Sequence, residues 1–136
     1  RKQFIDIVLE RSERKLQGMI DSTAYQTAVV SWIVEGVIGL DATSVIVETT
    51  AAESDIVESL IKAAETQARA VTGSEISIVK SSTNRMGSPG VIIRDTASAR
   101  AYDNTVITRI ERYRSDIQRL IADRQAERRA ERLSEE

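Results

Sequence analysis

Apolar positions along this chain recur with two different periods, and the switches between them divide it into elements. Residues 1–17 place Phe4, Ile5, Val8, Leu9 and Leu16 near one face of a helix. Gly18 and Asp21-Ser22 interrupt that period, and Ser22 is suited to cap a second helix bearing Tyr25, Ala28, Val29, Trp32, Ile33 and Val37. Gly36 and Gly39 are expected to loosen its end. Ser44–Glu48 is β-branched and predicts a strand. A third helix follows from about Ala52 to Val71, with Ile56, Val57, Leu60, Ile61, Ala64 and Ala68 as its stripe and Gly73 as its stop. Glu75–Lys80 alternates around Ile76 and Ile78, the pattern of a half-buried strand. Ser81–Pro89 carries Met86 alone among apolar side chains and predicts a loop. Gly90–Arg94 is a third strand, apolar on both faces, and a short fourth is expected at about Ala99–Tyr102.

These lengths predict an α+β fold in which helices pack on a small, mainly antiparallel sheet of three to four strands. Strand one, the third helix and strand two form a βαβ crossover. Strand three, with Val91, Ile92 and Ile93, belongs at the centre, and the simplest arrangement inserts it between strands one and two as a split βαβ. Residues 1–21 read as a leading helix, 22–122 as the globular domain, and 123–136 as a charged helical or frayed tail.

The last helix has a narrower pattern. Asp103-Asn104-Thr105 offers three side-chain oxygens to cap it, and its apolar positions begin at Val106. Val106, Ile110, Tyr113, Ile117 and Leu120 are spaced as a heptad seam, which would continue through Arg124, Glu127 and Glu131 and there loses its apolar character. The end reads as a solvated or frayed mixed-charge run of Arg and Glu, or an electrostatic contact with a partner.

Composition narrows the chemistry. The chain has 19 Lys and Arg against 21 Asp and Glu, so it lacks the basic excess of a nucleic-acid or membrane-surface binder. It contains neither cysteine nor histidine, which removes thiol chemistry, the commonest acid–base group and the commonest metal ligands. No apolar run approaches the ~18 residues of a membrane span. Opening on Arg1-Lys2 without Met, the chain is expected to be a fragment or processed product of a cytoplasmic protein. Gly87-Ser88-Pro89-Gly90 lacks the Lys-Ser/Thr of a phosphate loop, and no serine sits in a Gly-x-Ser-x-Gly elbow. The carboxylate pairs Asp41/Glu48 and Glu53/Asp55 could carry acid–base work, but Glu53 and Asp55 read better as charges at the positive end of the third helix. No catalytic, cofactor or metal residue is assigned.

Gly90–Arg109, GVIIRDTASARAYDNTVITR, joins a buried strand, a turn, a second strand and a capped helix. Gly90, Val91, Asn104, Thr105 and Arg109 stand where the E subunit of V-type and archaeal-type ATPases has its own motif, and the chain resembles the C-terminal globular domain of that family. Pro89 replaces the first glycine of the family's pair, the turn is Thr96-Ala97-Ser98, and Ile110 stands where leucine is usual. The charged tail to Glu136 runs past the family's usual end. The resemblance implies a non-catalytic peripheral-stalk subunit of a proton- or ion-translocating ATPase, without cofactor, that anchors the catalytic head and resists torque. It implies that residues 1–21 continue from a missing N-terminal stalk helix, that this helix forms a coiled coil with a stalk subunit of G or H type, and that the domain packs on the B subunit of the head. It places the protein on the membrane's periphery as part of a complex, with no insertion of its own.

Three features are candidates for partner contact: Phe4, Val8 and Leu9 as a free stripe that could also pair with a second copy of this chain; Trp32; and Arg85 with Met86 in the Ser81–Pro89 loop. Each has a plain structural alternative, namely packing on the chain's own core for the first two and a mobile linker for the third. Two other functional readings stay open. One is the stator-like protein of flagellar or type III secretion export, which resembles the E subunit in its globular part; the other is a small enzyme working with carboxylates alone.

Overall fold

Four strands of the chain join one mixed sheet in the order β2-β1-β3-β4, with β1 at Ser44–Glu48, β2 at Ser77–Lys80, β3 at Gly90–Asp95 and β4 at Ala101–Thr105. The computed structural model describes residues 18 and 20–135. Among the described residues three helices accompany the sheet: α1 over Thr23–Leu40, α2 over Ser54–Thr72 behind a 3-10 turn at Ala51–Glu53, and α3 over Val106–Ser134. The expected α+β class and small, mainly antiparallel sheet are borne out.

The strand order departs from the split βαβ. β1 and β2 pair directly and in parallel, from Ser44 opposite Ser77 to Val47 opposite Lys80. β3 takes the other edge of β1, antiparallel, with Val47 opposite Ile93, and β4 pairs antiparallel with β3. The loop between β2 and β3 explains the order. The Ser81 N–H donates to the Val47 carbonyl at 2.8 Å, and the Arg85 N–H donates to the Thr49 carbonyl at 2.9 Å. The chain therefore crosses the end of β1 and reaches its far side before β3 begins. Strand β3 is interior, as its apolar run requires, but so is β1.

The core lies between one face of the sheet and the two helices laid on it. Helix α1 packs over β3 and β4, and α2 over β2. Val45, Val47, Val91 and Ile93 of the sheet are fully buried together with Val29 and Ile33 of α1 and Val57, Ala64 and Ala68 of α2. Burying each of these valine and isoleucine side chains contributes about 1.5–3 kcal/mol. The Ser22 hydroxyl accepts from the Tyr25 N–H at 3.2 Å to start α1. Asp41, in the left-handed region at φ 49°, ends it.

Gly36 and Gly39 do not loosen α1. A Cβ on Gly36 would lie 2.7 Å from Ile93 Cδ1, and one on Gly39 would lie 2.4 Å from the Tyr102 ring. Their missing side chains let the helix approach the sheet. Gly73, at φ 71°, ends α2 where the sequence places the stop.

Helix α3 leaves this body. Its contacts with the head centre on β4. Its 29 residues reach about 44 Å at 1.5 Å per residue. The helical turns therefore continue through the charged stretch after residue 122. The stripe expected over 1–17 lies outside the described residues.

Candidate functional site

The start of α3 is fixed by several segments at once. Thr105 is the N-cap residue, its hydroxyl accepting from the Thr108 N–H at 3.4 Å. The Val106 N–H donates to the Pro89 carbonyl at 2.9 Å, and the Ile107 N–H to the Ser88 hydroxyl at 3.3 Å. The loop before β3 thus satisfies two of the free N–H groups that every helix start leaves. Asp103 accepts from the Thr105 N–H at 2.9 Å. Burial raises the Asp103 pKa, but hydrogen bonds from Thr105 and Thr108 and the charge of Arg85 outweigh it and hold the carboxyl below its ordinary value.

Asn104 does not cap. Its side chain is turned inward and fully buried. Its amide Nδ2 donates to the main-chain carbonyl of Trp32 in α1 at 2.8 Å. Its Oδ1 accepts from Arg109 Nη1 at 3.1 Å and Arg112 Nη1 at 2.8 Å. Arg112 also donates to the Asp103 carbonyl. Glu35 completes the set: its Oε1 accepts from Arg109 at 3.1 Å and from the Tyr102 hydroxyl at 3.2 Å. The guanidinium of Arg109 lies 5.1 Å from the Trp32 ring centroid, and that of Arg112 lies 5.0 Å from that of Tyr102.

This arrangement is a clamp, with α3 supplying two arginines one turn apart and the head supplying acceptors and aromatic faces. An exposed ion pair alone contributes about 0.2–1 kcal/mol. The buried amide raises the stakes, because deleting it removes three hydrogen bonds at once, two of them to charged groups, at about 1–3 kcal/mol. Arg109 was singled out from sequence. Glu35, Tyr102 and Arg112 were not, and the only available signal was the three-residue spacing that brings Arg109 and Arg112 to one side of a helix.

A second polar cluster ties the starts of α1, α2 and β3. Glu53 stands at the start of α2, as expected, and is fully buried there. It accepts from the Tyr25 hydroxyl, from Thr50 Oγ1 at 2.6 Å, and from the Gly90 N–H at 3.1 and 3.2 Å. Burial, then the hydrogen bond and charge of Glu53, push the Tyr25 phenol above its ordinary range. Gly90 takes φ 105°, and its carbonyl accepts from the Thr49 hydroxyl at 3.0 Å.

The remaining candidates fall in different places. Val91 is core. Trp32 is half-buried, edge-on to Tyr25 at 5.8 Å, and lines a shallow groove with Val106, Arg109, Ile110 and Tyr113. Arg85 is turned onto its own loop: Nη2 donates to the Ser88 carbonyl at 2.6 Å and the Gly90 carbonyl at 3.3 Å. Met86, 93% exposed, is the apolar tip of the loop. Phe4, Val8 and Leu9 lie outside the described residues. Further along α3, Tyr113, Ile117 and Leu120 are exposed. Among the described residues no three His, Cys, Asp or Glu side chains converge as metal ligands. No described helix is long and apolar enough to cross a membrane.

The site is thus a set of joints between segments of the chain. The model of the ATP synthase (E/31 kDa) subunit family matches residues 1–124, and the chain belongs to that family. None of the curated proteins compared with it matches.

Proposed function

We propose that this member of the ATP synthase (E/31 kDa) subunit family is a non-catalytic stator: a peripheral-stalk subunit that holds the catalytic head of a V- or A-type rotary ATPase against the torque of rotation. The observation that carries the reading is the clamp of Asn104, Glu35, Arg109 and Arg112. A stator must transmit force between a globular anchor and a helix without a hinge, and this cluster stiffens that junction. A buried amide joined to two guanidiniums resists bending of α3 away from β4 more than apolar contact alone, since hydrogen bonds are directional. The same reading gives the protein two partners: a G- or H-type stalk subunit, paired with the family's N-terminal stalk helix, and the B subunit of the head. It places the complex on the cytoplasmic side of its membrane.

The test is reconstitution. Co-expressed with the head and stalk subunits of its own complex, the chain should co-purify with both, and omitting it should uncouple ATP hydrolysis from ion transport. A complex that assembles and transports ions normally without it refutes the reading, as does saturable nucleotide hydrolysis by the isolated chain.

A further inference from the structure

Beyond the clamp, α3 exposes a seam that the rest of the described chain does not cover. Tyr113 and Leu120 are 69% and 67% exposed, and Ile117 lies between them on the same side of the helix. With Ile110 half-buried in the groove beside Trp32, the seam runs without a break from the head outward. The helix carries on to Ser134, past residue 124 where the family match ends. From Arg124, the last matched residue, onward the seam positions are Arg124, Glu127 and Glu131. None of these three makes an ion pair among the described residues, whereas Arg114 and Arg119 off the seam pair with Glu111 and Asp116.

The charge order decides what can lie on this seam. A parallel second copy would set Arg124 against Arg124 and each glutamate against itself, which repels at every charged layer. Antiparallel registers that match Tyr113, Ile117 and Leu120 with one another leave Arg124 opposite Val106, Ile110 or Tyr113, with no carboxylate to meet it. Val106 is itself buried in the head. Neither self-pairing satisfies the charged layers, and a different helix can.

We propose that α3 from Tyr113 to Glu131 is a coiled-coil docking surface for one helix of another protein subunit. That helix presents apolar side chains to Tyr113, Ile117 and Leu120, a carboxylate to Arg124, and cationic side chains to Glu127 and Glu131. The apolar layers supply attraction, and the charged layers set the register and select the partner. The inference rests on the stator reading only in taking that subunit to belong to the same assembly.

The test uses the full chain and synthetic helical peptides with one shared apolar seam. The matched peptides carry an acid opposite Arg124 and lysines opposite Glu127 and Glu131; the swapped peptides carry the opposite charges. Both are made in parallel and antiparallel order. A matched peptide should bind at least about tenfold tighter than its swapped counterpart. The triple variant Arg124→Glu, Glu127→Arg, Glu131→Arg should invert that preference, and Leu120→Glu should abolish binding. All four substitutions are at exposed positions, so thermal melts by circular dichroism should be unchanged. Binding of matched and swapped peptides within about twofold, or of neither, refutes the proposal. So does a homodimer in sedimentation that Leu120→Glu dissolves. These results would leave co-purification with the ATPase subunits intact, so failure here is separable from failure of the stator reading.

Discussion

Gly90 lies so close to the strand beside it that a Cβ there would sit 2.7 Å from the Asn104 carbonyl oxygen and 2.8 Å from Thr105 Cα. Its φ of 105° is also one that other residues rarely adopt. The same residue donates its N–H to buried Glu53 and accepts from Thr49, so the backbone has nowhere to relax. Gly90→Ala should therefore cost at least the ~1–3 kcal/mol of a strained backbone. Urea unfolding measures this directly; a cost under about 0.5 kcal/mol would show that the β3–β4 junction is looser than its distances require.

Asn104→Ala should cost about 1–3 kcal/mol, through the hydrogen bonds it makes to Trp32 and the two arginines rather than through a lost cap. The two accounts separate in a double-mutant cycle. If Asn104 acts through the arginines, Asn104→Ala and Arg112→Ala should be coupled by more than about 0.5 kcal/mol. A cap would leave them additive. Thr105→Ala is the substitution that should show an ordinary capping loss of about 0.5–2 kcal/mol.

The different roles of Asn104 and Thr105 show which features of the chain are local. Helix α1, strand β1 and the interior run Val91–Ile93 follow from period and β-branching within a few residues, and they form where expected. The α+β class follows from their order. Strand β4 lies at Ala101–Thr105 rather than at about Ala99–Tyr102 because Asp95 prolongs the turn. Its side chain accepts from the Ala97 N–H at 3.0 Å and the Ser98 hydroxyl at 3.0 Å. The inward turn of Asn104 depends on a carbonyl 72 residues away, and burial of Glu53 on a tyrosine 28 residues earlier and a glycine 37 later. A local rule sees an Asn or Glu near a helix start and assigns it to that start. The strand order was hidden for the same reason, since the crossing loop is held by backbone bonds that any sequence could make.

The buried Tyr25–Glu53 pair makes stability depend on pH at the alkaline end. The phenol is raised above its ordinary value of 10.0 in the folded chain, so the folded state keeps a proton that the unfolded chain releases. The stabilisation is fully present below that value and is lost as pH rises above it. Urea midpoints measured from about pH 8 to about pH 11 should fall more steeply for the wild type than for Tyr25→Phe, which has no proton to lose there. Parallel slopes would mean that the phenol is open to water.

Gly36 and Ile93 offer the sharpest test of how α1 sits on the sheet. Replacing glycine by alanine inside a helix ordinarily gains about 1 kcal/mol of helix propensity. Here the new Cβ would lie 2.7 Å from Ile93 Cδ1 and 2.8 Å from Cγ1, inside any normal contact, so Gly36→Ala should destabilise. Ile93 is fully buried on an interior strand, and Ile93→Ala should cost about 2–5 kcal/mol by leaving a cavity. Combined, the two changes should compensate. The methyl added at position 36 would enter the space vacated by the isoleucine side chain, with only the Cβ of residue 93, 3.0 Å away, needing to give slightly. The double variant should therefore be more stable than Ile93→Ala alone, with a favourable coupling of about 1 kcal/mol or more. Additive losses would mean that α1 lifts from the sheet when Ile93 is truncated, and that the glycines do not set the helix-to-sheet distance.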